Sequence, residues 1–359
     1  MSQREQTPSP TSKLTPARLR WPDRLHTVLA LLVTLGACLH AQAASEHGRF
    51  IGAMPTTYPA WFKESFLEFR EDIKDAASQS KRVAILFHQD ACPYCNALVE
   101  RNLSQRDIEA LLRQKFEVIA VNMWGDRDVV TVDGQSFSEK QFAGAMQVQY
   151  TPTLVFFDEQ AKIALRLNGY LPPSEFKRAL EYVAGKHEQQ ISYRDYLASH
   201  GPSKRPGQMV TASSFTSTAT VDADKPTLVL FEQRDCPNCE TLHERVFALP
   251  DTADLLAGFN RQRVDMWSDK AVQTPSGKTV SGRAWADALE VDYAPSLVVF
   301  DTQGREVIRT AAYFKRFHTQ GVLDYVASGA YRQEPSFQRY LSGRAEALRA
   351  QGQDVNIWD

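Results

Sequence analysis

Four cysteines of this chain fall into two pairs, Cys92-Pro93-Tyr94-Cys95 and Cys236-Pro237-Asn238-Cys239. Three chemistries use such spacing: a metal clamp, a structural disulfide and a reversible dithiol–disulfide couple. A compact zinc ribbon separates its cysteine pairs by roughly 15–20 residues, whereas Cys95 and Cys236 are far apart. A disulfide closing so short a loop removes little entropy from the unfolded chain, so it is a poor staple. The redox reading fits better. A cysteine at a helix N-terminus faces unpaired backbone N–H groups and the positive end of the helix dipole, which favour thiolate over thiol. Cys92 and Cys236 are therefore the expected nucleophiles. Cys95 and Cys239, about one turn further on, are the expected resolving thiols. Proline after the first cysteine suits a first helical turn, where its missing N–H costs nothing.

The elements that must hold these cysteines occur twice. Val121-Asn122-Met123-Trp124-Gly125-Asp126-Arg127 returns as Val264-Asp265-Met266-Trp267-Ser268-Asp269-Lys270. Tyr150-Thr151-Pro152-Thr153-Leu154-Val155-Phe156-Phe157-Asp158 returns as Tyr293-Ala294-Pro295-Ser296-Leu297-Val298-Val299-Phe300-Asp301. Met123 and Pro152 are 29 residues apart, as are Met266 and Pro295. In each copy a short apolar run (83–87 and 227–231) leads into the cysteines and has the pattern of a buried strand. Further strands are expected at 118–122, 154–157 and 163–167, and at 263–266, 297–300 and 306–310. Asp133-Gly134 and Ser276-Gly277 are turn dipeptides that predict a small inserted hairpin. Residues 61–69 predict an amphipathic helix ahead of copy one. Pro152 and Pro295 follow Thr151 and Ala294, and are read as cis-prolines facing the cysteines, since an X-Pro bond adopts cis at a cost of only about 0.5–1 kcal/mol.

The remaining sequence sets bounds. Residues 1–43 read as a secretory signal: Lys13, Arg18, Arg20 and Arg24 precede the apolar run from Val28, and Ala41-Gln42-Ala43 offers a cleavage site. An uncleaved anchor and lipid attachment at Cys38 are the alternatives. Copy one is assigned to 54–198, a polar linker to 199–220 and copy two to 221–345, with no membrane span after signal cleavage. Removing the leader leaves four cysteines in an oxidising compartment, where disulfides persist. With 43% apolar residues and a net charge of −2 over 359 residues, the chain can build sizeable cores and shows no nucleic-acid signature.

With those residues, the sequence resembles a tandem of thioredoxin-fold domains over roughly 58–342. The predicted class is α/β, two thioredoxin-like domains each with a central mixed sheet flanked by helices. The Met-Trp-x-Asp stretches, Thr151 to Asp158, and the endings Tyr325-Val326-Ala327-Ser328-Gly329-Ala330-Tyr331 and Pro335 to Leu341 are similar to periplasmic thioredoxin-like proteins of bacterial sulfur-oxidation (Sox) systems. The resemblance implies dithiol–disulfide exchange with protein substrates and no bound cofactor or metal. It implies that Pro152 and Pro295 hold a substrate loop, and that the backbone of Thr151 and Ala294 pairs with an extended peptide. Trp124 and Trp267 either wall the site or pack. It also points towards reduction of periplasmic disulfides with electrons from a membrane thiol carrier. Isomerisation, net oxidation and a non-catalytic peptide-binding module are the alternatives. The two sites raise an internal relay, which requires unequal potentials. One departure stands out: the buried acid expected six residues before the first cysteine is replaced by Leu86 and Leu230. Asp90, Asp235 and Glu232 are read as solvated charges. His88 and His243, each confined to one copy, are given no catalytic role.

Overall fold

Strand β2 runs into the first cysteine motif and is buried on both faces, as its apolar sequence RVAILFH requires of a central strand. In chain order, the elements of copy one are β1 (Phe50–Ile51), α1 (Phe69–Ser78), β2 (Arg82–His88), α2 (Pro93–Ala97), α3 (Arg106–Lys115), β3 (Phe116–Asn122), β4 (Asp128–Val130) and β5 (Ser136–Ser138). They continue as α4 (Glu139–Ala145), β6 (Thr153–Phe157), β7 (Ile163–Asn168), α5 (Pro173–Ala184) and α6 (Tyr193–His200). Copy two repeats the plan with β8 (Thr227–Glu232), α7 (Pro237–Leu242), α8 (Pro250–Leu256), β9 (Asn260–Asp265), β10 (Ala271–Gln273), β11 (Thr279–Ser281) and α9 (Gly282–Ala288). It ends with β12 (Ser296–Phe300), β13 (Glu306–Thr310), α10 (Arg316–Ala327), α11 (Phe337–Ala350) and β14 (Val355–Asn356). This computed structural model describes residues 47–200, 209–211, 215–218 and 221–358. The segment 1–43 read as a signal, Cys38 and much of the expected polar linker lie outside the described residues. Among these residues no helix is long and apolar enough to cross a membrane.

Each copy holds a four-stranded mixed sheet, β3-β2-β6-β7 and β9-β8-β12-β13. The first pair in each order is parallel and the other two are antiparallel. Both Cys-Pro-x-Cys motifs thus start a helix directly after a central strand. The inserted hairpins are β4–β5 and β10–β11. Each lies between the strand that precedes Met-Trp and the helix before the second proline.

The helix expected over 61–69 is displaced. The first helix begins at Phe69, and Leu67 carries a positive φ of 62° that an α-helix does not tolerate. The Lys63 amide instead donates to the Val118 carbonyl at 2.8 Å, tying this segment to β3. Copy two begins before residue 221, because Phe215 is fully buried in its core and Thr218 hydrogen-bonds the backbone of Arg261.

Two helices connect the copies reciprocally. Arg194 of α6 lies 4.4 Å over the Trp267 ring, and bonds Asp287 at 2.6 Å and the Arg283 carbonyl at 3.0 Å. From copy two, Gln338 of α11 bonds Gln89 at 2.9 Å and donates to the Gln149 carbonyl at 3.0 Å. Arg339 lies 5.6 Å over Trp124. Helices α10 and α11 approach closely at Gly321, where a Cβ would meet Leu341 at 2.5 Å. Beyond α11, β14 pairs in parallel with β1, so the two ends of the described chain meet.

Candidate active site

Cys92 and Cys236 occupy the N-cap positions of α2 and α7, with Pro93 and Pro237 in the first turn. Their sulfurs accept the backbone amides of Cys95 and Cys239, at 3.0 and 3.1 Å. An N-cap side chain satisfies one of the orphan amides of a helix start. When the disulfide opens, the same amide stabilises the first sulfur as thiolate. In the structure each pair is joined as a disulfide. Cys95 and Cys239 are fully buried, while Cys92 and Cys236 are each 3% exposed. The first sulfur of each pair is thus the less enclosed of the two.

The peptide bonds Thr151–Pro152 and Ala294–Pro295 are both cis. The Thr151 hydroxyl donates to Cys92 Sγ at 3.3 Å, and its carbonyl oxygen lies 3.6 Å from the same sulfur. Ala294 has no hydroxyl, so site two lacks this donor. Trp124 and Trp267 are half-buried, and their Nε1–H groups donate to Gln89 at 2.8 Å and Gln233 at 3.0 Å. Sequence reasoning passed over these glutamines, although both stand three residues before the first cysteine of their copy. That recurrence was the available signal. Asp126 and Asp269 form exposed ion pairs with Lys140 and Arg283.

The sequence pattern of the thioredoxin-like domain matches residues 69–184 and again 217–327, more than half of the chain. The chain belongs to the thioredoxin-like domain family. Among solved structures it is similar to a thioredoxin-fold protein from Helicobacter pylori, with 21% identity over 37% of this chain and 90% of that chain and a TM-score of 0.30. It is also similar to a thioredoxin from Thermus thermophilus, with 25% identity over 39% of this chain and 89% of that chain and a TM-score of 0.27. A third is the DsbD C-terminal domain of Neisseria meningitidis in the reduced form, with 14% identity over 32% of this chain and 91% of that chain and a TM-score of 0.25. No curated protein matches the chain. The family match, with a Cys-x-x-Cys pair at a helix tip in each copy, makes this thioredoxin-like protein a thiol–disulfide oxidoreductase.

The two thioredoxin-like domains differ beneath and around their sites. Glu232 is not a solvated charge: it is fully buried at the end of β8, bonding His243 Nε2 at 2.7 Å and Arg263 Nε at 2.7 Å. Burying a carboxylate is costly unless it is paired, and these two partners do that. Asp90 and Asp235 are exposed. In the first domain His88, Val99 and Ala120 hold the matching places, and His88 packs on Tyr58 with ring centroids 4.6 Å apart. Burial lowers the His88 pKa. A histidine found in one copy only gave no reason to expect a buried Glu–His–Arg cluster.

Coverage separates the sites further. Around Cys236, Arg234, Asp235 and Pro237 are exposed and Asn238 is half-buried. Around Cys92, Pro93 and Tyr94 are both buried. The Tyr94 ring meets His318 and Trp358, each at 5.2 Å, and Phe314 at 6.0 Å. Tyr150, which precedes Thr151, stacks on Phe314 at 4.9 Å and tilts against Phe337 at 5.4 Å. The apolar core of the second domain is thereby continuous with the first domain's disulfide.

Proposed function

We propose that this protein is an exported thiol–disulfide oxidoreductase that reduces disulfides in protein substrates, with Cys92 and Cys236 attacking and Cys95 and Cys239 resolving. The observation that carries the reading is the pair of first sulfurs, each capping a helix, each accepting a backbone amide near 3 Å, in copies that each contain a cis-proline. A dithiol at such a tip attacks a substrate disulfide through its thiolate. It forms a mixed disulfide, and the second cysteine then releases the product. Exposure of Pro237 and of the residues before Cys236 supports access of a polypeptide to the second site. Ala294, only half-buried, supports pairing of its backbone with an extended substrate. The basic-then-apolar start of the chain supports export, and the resemblance to Sox-associated proteins supports a periplasmic setting with a membrane thiol donor.

The test is insulin reduction with dithiothreitol by wild type, Cys92→Ser and Cys236→Ser. Loss of most activity in Cys236→Ser supports the reading, and equal activity in all three proteins overturns it. Export is tested by fractionating cells that express the full chain with a C-terminal tag. Retention of the protein in the cytoplasm at its full mass refutes that part.

A further inference from the structure

A cavity of about 230 Å³ lies against Cys92, walled by both domains. Its walls include Tyr94, Tyr150, Phe314, Phe317, Leu341 and His318. The volume falls below the roughly 300–1,000 Å³ of drug-sized sites. An extended substrate strand would instead need the edge of the loop before Pro152. The edge such a strand would use is already taken. Thr151 is 5% exposed, the Gln149 carbonyl accepts from Gln338, and the Gln149 side chain accepts from the Phe337 amide. His318 is 9% exposed and its Nδ1 has no hydrogen-bond partner. Burial alone pushes its pKa down to about 4, so the ring is neutral at pH 7. Asp90, at an exposed position, is the one Asp, Glu, Lys or Arg residue of the lining.

We propose that the first site exchanges with a small uncharged thiol or disulfide held in this chamber, while the second site serves polypeptides. The inference rests on the oxidoreductase reading above and adds a substrate class to one of its sites. In the chamber a small thiolate RS⁻ attacks Cys92 Sγ and breaks the Cys92–Cys95 bond, and Cys95 leaves as thiolate and takes up a proton. A second RS⁻ attacks the ligand sulfur of the mixed disulfide, releasing RSSR and the Cys92 thiolate, which is then protonated. Two RSH are oxidised to RSSR, and the protein disulfide gains two electrons and two protons. The reverse reaction reduces RSSR. Largely apolar walls, with their one acidic residue at an exposed position, favour an uncharged R group, because an unpaired charge deeper in loses its hydration. His318 offers the ligand a neutral imidazole.

The experiment uses the full chain in two forms, Cys236→Ser/Cys239→Ser, which keeps site one, and Cys92→Ser/Cys95→Ser, which keeps site two. Each is pre-reduced and mixed with bis(2-hydroxyethyl) disulfide or with insulin, and loss of protein thiols is followed by mass-shift labelling. The ratio of the small-disulfide rate to the insulin rate is expected to be at least tenfold higher for site one. Equal ratios, or a site one inert to both probes, overturn the inference. Failure of site two on insulin, with site one still selective, overturns the protein-substrate reading instead. Ala345→Leu, which narrows the chamber from α11, is expected to slow the small-disulfide reaction at least tenfold with the circular dichroism spectrum unchanged. An unchanged rate in that variant also refutes the chamber as the route.

Discussion

Replacing Glu232 by alanine removes the carboxylate that joins His243 and Arg263 inside the second domain. Breaking a buried ion pair by deleting one partner costs about 3–5 kcal/mol, because the other charge stays buried and uncompensated. Two features of the structure place this case near the lower limit. The Arg263 side chain is 19% exposed and can recover some hydration, and its Nη2 keeps a 2.8 Å bond to the Val210 carbonyl. A loss of about 3 kcal/mol is therefore expected. The first domain supplies an internal control, since it folds with Val99 and Ala120 where the second has His243 and Arg263. The triple variant Glu232→Leu/His243→Val/Arg263→Ala removes all three charged or polar groups at once. It should lie within about 1 kcal/mol of wild type, as buried ion triads replaced by apolar side chains often do. Urea unfolding at 25 °C, followed by tryptophan fluorescence and fitted with a common slope, measures both. If the single variant costs less than about 1 kcal/mol, or the triple costs as much as the single, the triad is not an electrostatic unit.

Further outcomes follow from the same geometry. Thr151→Ala gives site one the residue of site two and removes a hydrogen bond to the Cys92 sulfur. A bond to a charged acceptor contributes about 1.5–3 kcal/mol, so the Cys92 pKa should rise by about one to two units, read from thiolate absorbance at 240 nm. An unchanged value refutes the bond's role. For the same reason the two disulfides should differ in midpoint when each is titrated against glutathione with the other pair mutated; coincident midpoints exclude a directed relay. Asp292, beside the second cis-proline loop, has its pKa raised by burial to about 6, with Arg194 opposing the shift. A raised acid destabilises the fold as pH climbs from about 4 to 6, so Asp292→Asn should stabilise on the order of 2 kcal/mol at pH 7.5 and nothing at pH 3.5. A gain that is the same at both pH values contradicts this. Phe314→Ala should cost about 3 kcal/mol by the loss of a buried ring that stacks on Tyr150. It should also raise insulin reduction by site one, and a stable variant still inactive on insulin would count against Phe314 as the barrier.

What the sequence determined by itself is everything written locally and twice. The cysteine spacing, the proline in the first turn and the apolar runs before and after specify strand, helix tip and facing loop within each copy. These features depend on backbone preferences and on contacts inside a domain of one type. Tertiary structure alone decided what covers each site. Gln89 meets Gln338 across 249 positions of chain, Tyr94 is enclosed by Phe314, His318 and Trp358, and Arg194 is buried on Trp267. No period or motif marks such pairs, because they arise where the surfaces of two finished domains meet. Glu232 shows the same limit at closer range. An acid four residues before a cysteine is solvated or buried according to whether Arg263 and His243 reach it, and only the assembled sheet and helix bring them there. The two copies thus share one local chemistry, and the packing of one domain on the other makes their sites unequal.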